Sequence, residues 1–101
     1  MAQRLKQIEN RIAGIQRELV ALGPMRPGSL TRQYKNPEGK TGGYYQISYT
    51  HQMKSRTEYV RPQFVPEIRR QIAAFKKFRK LTQTWVNLGI EYSRLKMKNP
   101  Q

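Results

Sequence analysis

The sequence predicts an α+β protein with an N-terminal heptad helix, a small antiparallel sheet of two or three strands, and a long C-terminal helix. Apolar residues recur at helical spacing near both ends of the chain, and a segment rich in Tyr, Ile, Thr and Val lies between them. The expected layout is an amphipathic helix over residues 1–23, a Gly/Pro linker and sheet over residues 24–62, and the long helix over residues 63–101, together forming one compact domain.

The first helix, predicted over residues 2–22, carries an apolar seam. The members of the seam are spaced 3, 4, 3, 4 and 3 residues apart, which is the a/d pattern of a heptad repeat. Gly23-Pro24 is expected to end the helix. The seam must pack on the second helix of the same chain, on a second copy in a homodimer, or on a partner protein. Its members are Leu5, Ile8, Ile12, Ile15, Leu19 and Leu22.

The central segment predicts a β-hairpin, with residues 41–50 and 55–61 as its strands and residues 51–54 as its loop. A further strand over residues 30–35 would make the sheet three-stranded. Side chains alternate between the two faces of a strand. The expected inner face holds Tyr45, Ile47, Tyr49, Thr57 and Tyr59, and the expected front holds Tyr44, Gln46, Ser48, Thr50, Arg56, Glu58 and Val60.

The second helix should run from about Pro66 to about Met97 and stop before Asn99-Pro100. Its apolar stripe slips phase between Phe75 and Leu81, which indicates a change of packing partner. The first half is expected to pack on the sheet through Ile68, Ile72 and Phe75. The second half is expected to pack on the first helix through Leu81, Trp85, Leu88, Tyr92 and Leu95.

The composition disfavours an enzyme. The 101 residues include no cysteine, no aspartate and a single histidine, so a disulfide framework, a thiolate metal site and a Ser-His-Asp triad are all excluded. The Gly39-Lys40-Thr41 sequence lacks the preceding glycine and the following helix of a phosphate-binding loop. The sequence therefore predicts no catalytic residues, no metal, no cofactor and no small-molecule substrate.

The charge is strongly basic, with 20 Lys and Arg against 6 Glu and a formal net charge of +14. The net charge is +2 over residues 1–25, +5 over residues 26–62 and +7 over residues 63–101. Such an excess favours a polyanionic partner. The residues predicted to contact nucleic acid are Arg32, Lys35, Lys40, Tyr44, Gln46, Ser48, Thr50, Lys54, Arg56, Arg61, Arg69, Arg70, Lys76, Lys77 and Lys80.

Four segments, in this order along the chain, resemble a family of small uncharacterised basic proteins found near transposases and other mobile elements in bacteria and archaea. They are residues 22–30 (LGPMRPGSL), 43–50 (GYYQISYT), 54–61 (KSRTEYVR) and 65–72 (VPEIRRQI). The resemblance implies no established activity. Many members carry a cysteine cluster where this chain has residues 34–40, so a metal-binding role is not carried over. At the level of fold, the predicted sheet followed by a helix is also similar to the arm-type DNA-binding domains of phage integrases, which insert a three-stranded sheet into the major groove.

The leading expectation is a non-enzymatic accessory protein that binds double-stranded DNA of a mobile element, with the sheet front in a groove and the basic residues on phosphates. One alternative is a protein that binds structured RNA, such as a guide or ribosomal RNA. Another is a helical adaptor that binds a protein through the seam. The N-terminus has no continuous apolar run, and no segment is apolar enough to span a membrane, so a cytoplasmic protein, associated with the nucleoid if it binds DNA, is expected.

Overall fold

The computed structural model describes residues 2–98 and confirms the α+β fold class. The strand predicted over residues 30–35 is present, so the sheet has three strands. None of the helices within the described residues is long and apolar enough to cross a membrane. The elements in chain order are α1 (Ala2–Val20), β1 (Ser29–Asn36), β2 (Thr41–His51), β3 (Lys54–Val60), a 3-10 turn (Pro62–Phe64) and α2 (Val65–Lys98).

The chain divides into two compact units. The helical unit combines α1 with the second part of α2, residues 77–98. The sheet unit comprises residues 24–76 and holds the three strands together with the first part of α2. The expectation of one compact domain stays a prediction.

The core of the helical unit is built on the seam of α1. Ile8 is 0% exposed and Ile15 is 4% exposed, and both pack with Leu88 of α2. The predicted packing of α1 on the second part of α2 is confirmed, so the seam packs on a helix of the same chain. Leu5 and Leu22, at the ends of the seam, are half-buried. The half-buried residues around this core are Ile12, Leu19, Leu81, Trp85, Tyr92 and Leu95.

The core of the sheet unit lies between the first part of α2 and one face of the sheet. The sheet is antiparallel with strand order β1-β2-β3. The predicted packing of Ile68 and Ile72 on the sheet is confirmed, whereas Phe75 is half-buried outside this cluster. The phase slip of the apolar stripe therefore marks the change in α2 from packing on the sheet to packing on α1. The cluster consists of Ile47, Val60, Val65 and Ile72, with Leu30, Tyr45 and Ile68 packed against it.

Helix α2 begins one residue earlier than the sequence predicts, at Val65, and Pro66 takes the second position. Proline is tolerated there because the first N–H groups of a helix have no intrahelical acceptor. The helix continues to Lys98, and the predicted stop at Asn99-Pro100 lies outside the described residues.

The predicted assignment of β3 side chains to faces is wrong. His51 pairs with Lys54, so the β2–β3 connection is a two-residue turn at Gln52 and Met53, not a four-residue loop. This register places Tyr45 opposite Val60, and Val60 is only 6% exposed. Because side chains alternate along a strand, a shift of one residue moves every side chain to the other face. Arg56, Glu58 and Val60 consequently lie on the inner face, while Thr57 and Tyr59 lie on the front.

Candidate nucleic-acid interface

The front of the sheet, here called the outer face, faces away from the Ile47 cluster and is neutral except for one lysine. The register sets which residues share it. Its members are polar or aromatic, and no acidic residue is among them. They are Ser29, Thr31, Gln33 and Lys35 of β1, Tyr44, Gln46, Ser48 and Thr50 of β2, and Ser55, Thr57 and Tyr59 of β3.

Hydroxyl pairs tie β2 to β3 across the outer face. The hydroxyl oxygens of Thr50 and Ser55 lie 2.8 Å apart, and those of Ser48 and Thr57 lie 3.2 Å apart. Each hydroxyl can donate one hydrogen bond and accept two, so these pairs retain acceptors for an incoming ligand. The side chains of Ser48 and Thr50 are therefore held in place by the sheet while still able to bind base edges or phosphates.

An aromatic pair occupies the other end of the outer face. The rings of Tyr44 and Tyr59 have centroids 6.4 Å apart and planes inclined at 46°. Tyr59 is 62% exposed although it is a large aromatic side chain. The pair borders a depression of about 520 Å³ that is also lined by Lys35, Gly42 and Gly43.

Three of the predicted contact residues that belong to the strands do not lie on the outer face. Arg32, Lys54 and Arg56 share the inner-face parity of their strands. The Arg32 guanidinium lies 5.6 Å from the ring centroid of Tyr34 and 5.7 Å from that of Tyr45. The expectation that Arg56 lies on the sheet front is therefore wrong. The cause is again the register, which is fixed by the two-residue turn in the case of β3.

Two further predicted cations flank the strands. Lys40 closes the β1–β2 turn with a positive φ of 50°, and the Gly39 N–H in that turn donates to the Asn36 Oδ1 atom at 3.3 Å. Arg61 follows β3 in extended conformation with φ −65° and ψ 142°. Arg61 is exposed and comes directly after Val60, the last residue of β3.

The cations of the first part of α2 are exposed but differ in their surroundings. Arg69 and Lys76 line a groove of about 360 Å³ with Gly28, Ser29 and Leu30. Gly28 has a φ of +145°, and a Cβ there would lie 2.8 Å from the Ile47 Cδ1 atom, so only glycine lets the chain pass this close to the core. Arg70 forms an ion pair of 2.8 Å with Glu67, and this contact lowers the pKa of the Glu67 carboxyl.

Lys77 and Lys80 belong to the helical unit. Both are exposed, and the Lys77 ammonium lies 3.6 Å from a carboxylate oxygen of Glu18. Among residues 2–98, no three His, Cys, Asp or Glu side chains lie together in a way that could hold a metal ion.

Each unit carries ten basic and three acidic residues, a net charge of +7. None of the three glutamates of the sheet unit lies on the outer face. Glu38 lies in the β1–β2 turn, Glu58 lies on the inner face and Glu67 lies in the first turn of α2. Glu58 accepts a hydrogen bond of 2.5 Å from the Tyr49 hydroxyl, which raises the pKa of Tyr49.

Sequence reasoning missed Tyr59, Thr57, Thr31 and Gln33 as candidate contact residues. The first two were assigned to the wrong face because Gln52-Met53 lacks the Asn-Gly signature of a tight hairpin turn. Thr31 and Gln33 were expected to face outward, but they were not included among the contact residues. A two-residue turn at Gln52-Met53, had it been assumed, would have placed Tyr59 beside Tyr44.

Comparison with known proteins identifies the family of the chain. Residues 1–70 match the model of the family described as "Domain of unknown function (DUF6788)". No significant match was found among the curated proteins or among the solved structures. Because the family model matches more than half of the chain, the protein belongs to the DUF6788 family.

Proposed function

We propose that the protein is a non-enzymatic nucleic-acid-binding protein that contacts duplex DNA with the outer face of its sheet. The observation that carries the proposal is the chemistry of that face. It presents amides and hydroxyls from three adjacent strands and no carboxylate, within a unit of net charge +7. A surface of this kind repels neither phosphates nor base edges.

The width of the sheet fits the proposal. A two-stranded β-ribbon already fits the major groove of DNA, and neighbouring strands lie about 4.8 Å apart, so two of the three strands can enter while the third meets a groove wall. Gln46 on the central strand can pair with adenine, and Ser48 and Thr50 can pair with several bases. Lys35, beside Tyr59, and Arg61, which follows β3, are then the candidates for phosphate contacts.

The proposed biological setting is a mobile element, and its support is the resemblance of the four sequence segments to proteins found near transposases. On this proposal the protein works in the cytoplasm, associated with the nucleoid, as an accessory protein. It should then bind duplexes from the ends of its element more tightly than random duplexes of equal length.

A second candidate function is binding of structured RNA. The observation that favours it is the exposed Tyr59 ring beside Tyr44, since sequence-specific RNA recognition uses aromatic side chains that stack on unpaired bases. Competition between duplex DNA and folded RNA of equal length separates the two candidates. Preference for the duplex supports the first, and preference for the RNA supports the second.

The location of the interface can be tested with two charge reversals that change the net charge equally. Lys35→Glu alters the outer face, whereas Lys6→Glu alters an exposed position on α1. We expect Lys35→Glu to weaken duplex binding about tenfold or more, because a lost phosphate contact is replaced by repulsion, and Lys6→Glu to weaken it less. Equal losses in the two variants, measured by fluorescence anisotropy, would contradict an interface on the sheet.

A further inference from the structure

The depression beside Tyr44 and Tyr59 has the features of a ligand site. It is lined by Tyr44, Tyr59 and Lys35 together with Gly42 and Gly43. Gly42 lies beside Lys35, between the pairs Tyr34–Gly43 and Asn36–Thr41 of β1 and β2. One end of the outer face therefore presents two tyrosine rings, one lysine and two glycines around the same depression.

Position 42, which lines the depression, requires glycine for two separate reasons. Gly42 has a φ of +67°, in the left-handed region that side chains with a Cβ rarely adopt. A Cβ at this position would also lie only 3.0 Å from the Lys35 Cβ atom. Any larger residue would crowd the Lys35 side chain, so glycine lets Lys35 lie against β2 at the edge of the depression.

The chemistry of the depression specifies its ligand. Contact of an aromatic ring with water is unfavourable, and covering the ring with a planar group lowers the free energy. Nucleobases stack on such rings irrespective of their sequence, and lysine binds the adjoining phosphate. The net charge of +7 on the sheet unit favours a polyanion over a neutral aromatic molecule.

We propose that the Tyr44–Tyr59 depression binds one unpaired nucleobase, so that the preferred target is a helical nucleic acid with an unpaired nucleotide beside the paired segment. This inference rests on the proposed function and makes its ligand more specific. The amides and hydroxyls of Gln46, Ser48 and Thr50 contact the paired segment, and the tyrosines receive the base that leaves the stack. Lys35, which lines the depression, holds a phosphate next to that base.

The test compares two ligands, a fully paired duplex and the same duplex with a single bulged 2-aminopurine. Both are prepared as DNA and as RNA. The fluorescence of 2-aminopurine depends on its stacking partners, so binding and transfer of the base to the tyrosine rings are read in one titration of the full chain. We expect a preference of about tenfold for the bulged duplex, together with a change in 2-aminopurine fluorescence on binding. Tighter binding of the DNA or of the RNA version shows whether the protein prefers deoxyribose or ribose.

Three variants locate the effect. Tyr59→Val removes the ring but keeps a residue that suits a strand, and it should abolish both the preference and the fluorescence change. Tyr59→Phe retains the ring and should retain both. Phe64→Leu serves as the matched control, because Phe64 is a 53% exposed aromatic residue of the same unit outside the sheet. It should behave as the unmodified protein does.

The outcomes separate this inference from the proposed function. Equal affinity for the two duplexes, or a preference that survives in Tyr59→Val, would overturn the base-binding site while leaving nucleic-acid binding in place. In that case the two tyrosines serve as a cross-strand pair that stabilises the sheet. Failure to bind either duplex, as DNA or as RNA, would overturn the proposed function and this inference together.

Discussion

At the scale of single residues, the hydrogen bond between Tyr49 and Glu58 shows how the hairpin register determines local chemistry. The two residues lie on the inner face of adjacent strands, and the Tyr49 hydroxyl donates to the Glu58 carboxylate at 2.5 Å. The Arg26 guanidinium lies 4.6 Å from the centroid of the same ring. The hydrogen bond to Glu58 is the main reason that the pKa of Tyr49 is raised above its usual value.

Replacing Glu58 with threonine should therefore return the pKa of Tyr49 towards its ordinary value of about 10. A phenol whose pKa is raised by folding contributes stability that is fully present below the pKa of the unfolded chain. That contribution is lost as the pH rises through the folded pKa. Tyrosine titration by NMR measures the change. Tyr92, whose pKa is raised by the Glu9 carboxylate in the helical unit, provides the internal control and should not move.

At the scale of elements, the two helices and their buried sides could be predicted because they follow from hydrophobic periodicity. The spacing of Ile8, Ile12 and Ile15 specifies the buried side of α1, and the phase slip before Leu81 marks where α2 changes its packing partner. The register of β3 could not be predicted in this way, because it depends on one turn. Gln52 and Met53 have φ values of 52° and 64°, which residues other than glycine and asparagine rarely adopt.

Changing Gln52-Met53 to Asn-Gly should therefore stabilise the protein. A two-residue turn with positive φ at both positions favours Asn-Gly, and Met53 is 95% exposed, so its side chain contributes little burial. We expect the free energy of unfolding to rise by about 1 kcal/mol, measured by urea denaturation. A decrease would mean that these two side chains stabilise the hairpin. Duplex affinity should be unchanged, since the register and the outer face are preserved.

At the scale of the whole molecule, the acidic residues leave most of the positive charge uncompensated. Glu91 pairs with Arg4 at 2.6 Å, Glu67 with Arg70 at 2.8 Å and Glu18 with Lys77 at 3.6 Å. Ion pairs that are exposed to water contribute little to stability, so these three pairs do not explain why the chain carries 20 cations. A net charge of +14 destabilises the folded state by self-repulsion, and a polyanionic partner relieves that cost.

The measurement that tests the central claim most directly is the affinity of the full chain for duplex DNA as a function of salt concentration. Each phosphate neutralised by a lysine or arginine releases condensed counterions, so the logarithm of the binding constant should fall linearly with the logarithm of salt concentration. Between about 50 mM and about 300 mM salt, three or more phosphate contacts predict a loss of affinity of about a hundredfold or greater. Affinity that is no higher at the low salt concentration than at the high one would contradict binding through phosphates, and with it the function proposed for this protein.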